Sequence, residues 1–143
     1  MGSVPVVLVV LDSNILLSAL LSPHGTPARI YDEWQDGRFT LVTCPHQIDE
    51  IRVASRYPKL RSILKPHLVG KMVNSLQHAS VIENAPRKYT ADDPTDAFLL
   101  DLAEYAKVDY VVTGDKRSGL LKRKRIGNAR ILTAAYFMSN VLR

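Results

Sequence analysis

The chain has 143 residues, of which 46% are hydrophobic and 23% charged, and its formal net charge at pH 7 is +5. This size and composition predict one globular domain over residues 1–143 without a membrane partner, because no apolar stretch approaches the ~18 residues of a membrane span. We expect a cytoplasmic protein, since the opening apolar run has no basic leader and the single cysteine, Cys44, suits a reducing compartment.

Short apolar runs alternate with segments of helical periodicity, a pattern typical of βαβ units and a parallel sheet. The predicted strands span residues 6–11, 39–43, 80–82, 110–113 and 130–132. The predicted helices span residues 15–21, 26–35, 45–56, 60–78, 95–107 and 134–141, with Pro66 at a joint in the fourth. We therefore predict an α/β fold with a central parallel sheet.

The first predicted strand is followed directly by an acid, Asp12. A carboxylate in this position lies at the carboxyl edge of the sheet, where open α/β folds bind their ligands. Capping of the next helix is the structural alternative, although Ser13 or Asn14 could provide the cap equally well. Asp12 is therefore a candidate site residue, and Asn14 could hold a neighbouring carboxylate by hydrogen bonding.

The third predicted helix carries two adjacent acids, Asp49 and Glu50. Asp49 shares a charged outer stripe with Arg52, so we predict it to be a surface residue. Glu50 shares its face with Val53 and Tyr57, which we place closer to the core. Because an acid near a buried face needs a partner or a metal ion, Glu50 is the candidate site residue.

The fifth predicted helix also separates its acids by face. Asp93 precedes a proline and has the position of a helix cap, and whether it joins a site stays open. Asp96 lies in line with Leu100 on the apolar stripe, whereas Asp101 and Glu104 mark the face expected to contact water. We predict Asp96 as a site residue.

Asp115 follows the fourth predicted strand as Asp12 follows the first, although it could also simply start a turn. Six basic residues come next within ten positions: Lys116, Arg117, Lys122, Arg123, Lys124 and Arg125. Without these six, 13 of the 19 Lys and Arg residues remain against 14 Asp and Glu residues. A basic run can be a solvated loop, but its place beside an acid favours a phosphate-binding rim.

The four candidate acids would meet if the strand ends and the inward helix faces converge. Like charges in a confined site oppose one another, and a divalent metal ion would balance them. The four histidines have no paired ligand spacing, so we predict no histidine metal site.

Four short segments follow one another along the chain: Val10-Leu11-Asp12-Ser13-Asn14, Glu50-Ile51-Arg52, Asp93-Pro94-Thr95-Asp96-Ala97-Phe98-Leu99 and Val112-Thr113-Gly114-Asp115-Lys116. Their order resembles that of the PIN-domain nucleases over nearly the whole chain. The chain is most similar to PIN proteins described as toxins of toxin–antitoxin pairs. Ser13 departs from the usual Thr of that family but keeps the hydroxyl group.

The resemblance implies a three-layer α/β/α sandwich, a site for Mg²⁺ or Mn²⁺, and cleavage of RNA. It also implies two protein partners, a cognate antitoxin and a second copy of the chain. Apolar residues between positions 15 and 31 could form a dimer face, with packing in the core as their alternative use.

The resemblance and the chemistry of metal ions together assign roles to the candidate residues. Asp12 and Asp96 would be the principal direct ligands, because Mg²⁺ usually takes one or two carboxylates. Asp115 would bind a second metal or act through water, and Glu50 would orient a water or serve as general base. Thr113, like Asn14, would position these groups, and the six basic residues would hold the RNA backbone.

Other classes of protein fit the sequence less well. A phosphotransferase of the haloacid dehalogenase type needs a second acid where Asn14 stands, and a phospho-receiver domain needs an acidic pair near the first strand. Walker-type and dinucleotide-type glycine loops are absent from the sequence. The remaining alternative is a PIN-fold module that binds or processes RNA without an antitoxin.

Overall fold

A computed structural model describes residues 6–89, 94–114 and 119–142, apart from the side chains of residues 94–96. Six strands form a sheet within these ranges: β1 (Leu8–Leu11), β2 (Thr40–Thr43), β3 (Ser80–Val81), β4 (Tyr110–Thr113), β5 (Arg125–Ile126) and β6 (Ala129–Thr133). Their order across the sheet is β3-β2-β1-β4-β6-β5, and β5 alone among them is antiparallel to its neighbour. All five predicted strands are confirmed, whereas β5 was not predicted.

The helices of the described residues are α1 (Ser13–Leu21), α2 (Thr26–Gln35), α3 (Pro45–Ser55), α4 (Pro58–Arg61), α5 (Pro66–Gln77), α6 (Pro94–Tyr105), α7 (Gly119–Arg123) and α8 (Ala134–Tyr136), which continues as a π-helical turn over Phe137–Val141. The predicted joint at Pro66 is confirmed, since Pro66 opens α5, but the helix before it is shorter than predicted: α4 begins at Pro58, and residues 62–65 are not helical. Helix α7 was not predicted. None of the described helices is long and apolar enough to cross a membrane.

The side chains of β1 divide between two cores because successive residues of a strand point to opposite faces. Val9 and Leu11 pack with residues of α1, α2, α3 and α5, among them Ile51. Val10 packs on the other face with residues of α6, among them Leu99. Helices therefore cover both faces of the sheet, and the predicted three-layer α/β/α sandwich is confirmed.

The apolar residues of α1 and α2 serve mainly the first of these cores. Ile30 is fully buried, and Leu17 and Leu20 are partly buried against the same core. Leu21 remains 39% exposed at the end of α1. The predicted alternative of core packing is confirmed for Leu17, Leu20 and Ile30, and a dimer face there stays a prediction.

The order of the strands reverses between β1 and β4. From β1 the chain passes to β2 and β3 on one side, whereas β4, β6 and β5 lie on the other. Open α/β sheets form a crevice outside the carboxyl ends of the strands at such a switch point. The pairing of Leu11 with Val112 places the residues that follow both strands next to each other at this edge.

Candidate active site

Asp12 lies at the switch point and is held by β4. Its backbone N–H donates to the carbonyl of Val112 at 2.9 Å, and its side chain is 4% exposed. One carboxylate oxygen accepts the Thr113 hydroxyl at 3.0 Å, and the other accepts the backbone N–H of Asn14 at 3.1 Å. Thr113 therefore contacts Asp12, and its role in positioning a metal ligand stays a prediction. Asn14 contributes through its backbone, and the carboxylate that caps α1 is fixed in place from two sides.

Gln47, a fully buried residue that the sequence analysis did not select, braces the chain around Asp12. Its amide nitrogen donates to the carbonyl of Leu11 at 2.7 Å and to the hydroxyl of Ser13 at 3.3 Å. Its amide oxygen accepts the hydroxyl of Thr43 at the end of β2. The first turn of α3 is thereby tied to both neighbours of Asp12, so Gln47 acts as a positioning residue.

The two adjacent acids of α3 differ in exposure, as predicted, but for another reason. The side chain of Asp49 is 71% exposed and that of Glu50 is 27% exposed. However, the face that Glu50 was expected to share with the core is not a core face. Val53 is 51% exposed and Tyr57 is 57% exposed, and the buried side of α3 instead includes Ile51.

Glu50 is half-buried because it lines a cavity of about 660 Å³ between the start of α3 and α6. The ring of His46 lies 3.9 Å from its carboxylate and meets the ring of Phe98 edge-on, with 4.5 Å between ring centroids. Ala97 also lines this cavity, one residue after Asp96. The backbone therefore brings the start of α6 to the Glu50 cavity, while the side chain of Asp96 lies outside the described residues.

Cys44 lines the same cavity and helps to define which metal ions the site could hold. Burial raises the pKa of its thiol, backbone hydrogen bonds from Gln47 and His46 oppose the rise, and the charge of Glu50 adds to it. A neutral thiol is a poor metal ligand. The imidazole of His46 also lines the cavity, and the carboxylate oxygens of Asp12 and Glu50 are the described donors that suit hard cations such as Mg²⁺ and Mn²⁺.

The remaining predicted site residues cannot be placed in the same way. Asp115, Lys116 and Arg117 lie outside the described residues, as does Asp93, the predicted helix cap. Among the residues whose side chains are described, no three His, Cys, Asp or Glu groups are close enough to hold a metal ion together. The four-acid cluster therefore stays a prediction.

Asp101 corrects one prediction, since it is 8% exposed and does not face water. One of its carboxylate oxygens accepts the backbone N–H groups of both Lys88 and Tyr89, each at 2.8 Å. Glu104 continues the contact: it accepts the Tyr89 hydroxyl at 2.7 Å and pairs with the Lys88 ammonium at 3.2 Å. The segment that follows β3 crosses α6 and covers this face, a contact between distant parts of the chain that helical periodicity does not predict.

These bonds also shift the titration of the groups involved. The hydrogen bond between the Tyr89 hydroxyl and Glu104 raises the pKa of Tyr89 and lowers the pKa of Glu104. The Glu104 carboxylate in turn raises the pKa of Lys88 through their hydrogen bond. At neutral pH the neutral phenol, the carboxylate and the ammonium group are therefore the favoured forms, and together they fasten the segment to α6.

The basic residues 122–125 are all exposed and cover the end of α7 and the start of β5. The guanidinium of Arg123 lies 5.0 Å from the centroid of the Tyr89 ring, within the range of a cation–π interaction. Tyr89 itself lines the Glu50 cavity. Arg123 therefore connects the predicted phosphate-binding rim with the wall of that cavity.

This fold and site define an α/β sandwich with one fixed carboxylate, that of Asp12, at the carboxyl edge of its sheet. The family described as PIN domain matches residues 8–117, and the chain therefore belongs to the PIN domain family, whose members are generally nucleases. It is also 31% identical over 110 residues to an uncharacterized protein of Methanocaldococcus jannaschii, a match that covers 76% of this chain and 70% of that protein. The match to the family contains all four predicted acids and ends before residues 122–125.

Proposed function

We propose that the chain is a metal-dependent endoribonuclease that hydrolyses RNA phosphodiester bonds with Mg²⁺ or Mn²⁺. The observation that carries this proposal is the carboxylate of Asp12, buried at the switch point of a PIN domain and fixed by Thr113 and Asn14. A carboxylate held in one orientation offers a hard cation a ready ligand without the entropy cost of ordering it.

In the proposed mechanism, the metal ion is held by Asp12, Asp96 and Asp115. A divalent ion bound there supplies neutralisation of the phosphate charge and activation of water. Glu50 faces a cavity large enough to admit part of a nucleotide, so it is suited to orient the attacking water and accept its proton. The buried Gln47 keeps the first turn of α3 fixed relative to Asp12.

RNA is the proposed substrate because exposed positive charge reaches this cavity at Arg123, whose guanidinium lies 5.0 Å from the Tyr89 ring in the cavity wall. Residues 122–125 carry four positive charges, and none of the ion pairs among the described residues involves them. Such a surface binds the phosphate backbone with little regard to base sequence. Lys116 and Arg117, which precede it in the chain, would extend the same rim.

The test compares Asp12→Asn with Asp49→Asn as the matched control. Asn is as good a helix cap as Asp, so the first variant keeps the start of α1, and the second removes a charge from an exposed position on α3. With a panel of structured RNAs and Mg²⁺, we expect Asp12→Asn to lose at least about 100-fold in cleavage rate, because a catalytic metal supplies several kcal/mol.

Asp49→Asn should cleave at the wild-type rate, and chelation should stop both the wild type and this control. Wild-type cleavage by Asp12→Asn with an intact fold would contradict the proposal. RNA binding that persists without any metal-dependent cleavage would favour the second candidate, a module that binds or processes RNA. The exposed basic residues 122–125 are the observation that favours this alternative.

We further propose that the nuclease is the toxin of a toxin–antitoxin pair and forms a homodimer. The support for the pairing is the resemblance of the four acid-containing segments to those of PIN toxins. Induced expression of the wild type in a bacterial host should arrest growth, and Asp12→Asn should not. Equal growth of both strains at equal protein levels would argue for an RNA-processing role without an antitoxin, and light scattering of the purified chain would establish whether it forms a dimer.

A further inference from the structure

A second cavity, of about 620 Å³, lies among α3, α4 and α5, and we refer to it as the arginine cleft. Its charged lining consists of Arg52, Arg56 and Arg61, and no acid lines it. Arg52 lies in the last turn of α3, Arg56 follows its last residue, and Arg61 reaches the cleft from the end of α4. The cleft therefore has a local charge of +3.

This positive charge is poorly compensated among the described residues. Arg52 pairs with the exposed Asp49 at 3.4 Å, and the ion pairs found there include neither Arg56 nor Arg61. A solvent-exposed ion pair such as Asp49–Arg52 contributes little to stability, so Arg52 can exchange its partner for a bound anion at small cost. Three guanidinium groups around one cavity therefore favour an anionic ligand.

The arginine cleft also has an apolar side. Leu64 is 6% exposed, and the half-buried Val69 and Val73 line the cavity from α5. The amide side chains of Asn74 and Gln77 add neutral donors and acceptors at its border. An inorganic anion would use the arginines alone, whereas this lining suits a ligand that joins an anionic group to a less polar body.

We propose that the arginine cleft binds a phosphorylated small molecule of mononucleotide size. The planar fork of a guanidinium matches the oxygens of a phosphate in a bidentate way, and the volume lies within the ~300–1,000 Å³ usual for small-molecule sites. The cleft shares no lining residue with the Glu50 cavity, and on α3 its arginines lie roughly half a turn away from Glu50. It is therefore a separate site, and its occupancy does not depend on nuclease activity.

The test measures binding of adenosine 5′-monophosphate to the full chain by calorimetry, with a chelator present so that no metal ion can hold the nucleotide at the carboxylates. We expect saturable binding of one molecule per chain. The variants Arg56→Gln and Arg61→Gln should each weaken it by about tenfold or more, because each removes a charge-assisted bidentate contact. The control Arg29→Gln, which changes an exposed arginine on α2, should bind like the wild type.

Two further probes separate the phosphate group from the body of the ligand. Adenosine, which lacks the phosphate, and inorganic phosphate, which lacks the body, should each bind about tenfold or more weakly than the nucleotide. The proposal is overturned if the nucleotide shows no saturable binding, if the double variant Arg56→Gln/Arg61→Gln retains it, or if inorganic phosphate binds equally well. Binding of hexaglutamate without binding of the nucleotide would also overturn it and indicate an acidic protein partner.

Discussion

The surroundings of Asp12 and the basic rim of residues 122–125 are built in opposite ways. Asp12, Thr43, Gln47 and Thr113 are each at most 4% exposed and are joined by hydrogen bonds at specific atoms. The basic side chains of residues 122–125 are exposed, and their charges are equivalent in sign and close in sequence. The proposed role of Asp12 depends on the positions of the atoms that bind it, whereas the proposed binding of phosphate by residues 122–125 depends on their total charge.

Among the changes that would test this difference, Gln47→Ala should have the largest effect. The substitution removes the partners of the Leu11 carbonyl and the Thr43 hydroxyl in a fully buried site, and each unsatisfied group costs about 1–3 kcal/mol. We expect the free energy of unfolding to fall by about 3 kcal/mol in urea titrations. The exposed Gln77→Ala should change it by less than about 0.5 kcal/mol, and equal values for the two variants would contradict the positioning role.

The second-largest effect should come from Thr113→Val. This substitution keeps the shape of the side chain but removes the hydrogen bond to Asp12. Loss of a group that orients a metal ligand typically costs about 10–100-fold in metal affinity or activity. We expect the Mg²⁺ concentration for half-maximal RNA cleavage to rise by about this factor. Thr40→Val, at the start of β2, should leave it unchanged, and a Thr113→Val enzyme with the wild-type Mg²⁺ requirement would show that the contact is only structural.

A single change in the basic rim should have a smaller effect that depends on salt. Lys124→Ala removes one exposed charge from residues 122–125. The slope of log affinity for single-stranded RNA against log salt should become shallower by about 0.7, because one fewer counterion is released on binding. Lys71→Ala, at an exposed position on α5, should keep the wild-type slope. An identical slope for both variants would argue against RNA binding by residues 122–125.

The smallest effect should be the pH dependence of the bond between Tyr89 and Glu104. Since the pKa of Glu104 is lowered in the fold, its stabilising contribution is present above the ordinary Glu value of about 4.3 and is lost as the pH falls through the lower folded value. Glu104→Gln should therefore melt slightly below the wild type at pH 7, and the difference should shrink as the pH falls through the lowered pKa of Glu104. A melting difference that persists unchanged at acidic pH would point to packing rather than charge.

The parts of the molecule that the sequence predicted correctly are those with a local pattern. An apolar run followed by an acid was enough to place Asp12 at the carboxyl edge of the sheet, because the edge follows from the parallel order of the strands. The contact with Thr113 then follows from the register of β1 and β4. Gln47 could have been found by a similar argument, as a polar residue one turn before Ile51 on the buried side of α3.

The parts that were missed depend on contacts between distant segments or on patterns obscured by charge. Asp101 is buried by a segment that precedes it by 12 and 13 residues, so the periodicity of α6 contains no information about it. Helix α7 and strand β5 lie in the basic run, where the buried residues Leu120 and Ile126 are too isolated to show a period. The exposed positions of Val53 and Tyr57 likewise follow from the tertiary placement of α3.

The short antiparallel strand β5 has a consequence for the association of chains. It forms one border of the sheet, β3 forms the other, and each contains two residues. In β5, Arg125 lies directly opposite Arg130, so an approaching strand would meet two like charges and few free backbone groups. Both borders are therefore too short to offer much to an added strand, which protects the protein against strand addition and amyloid-like stacking.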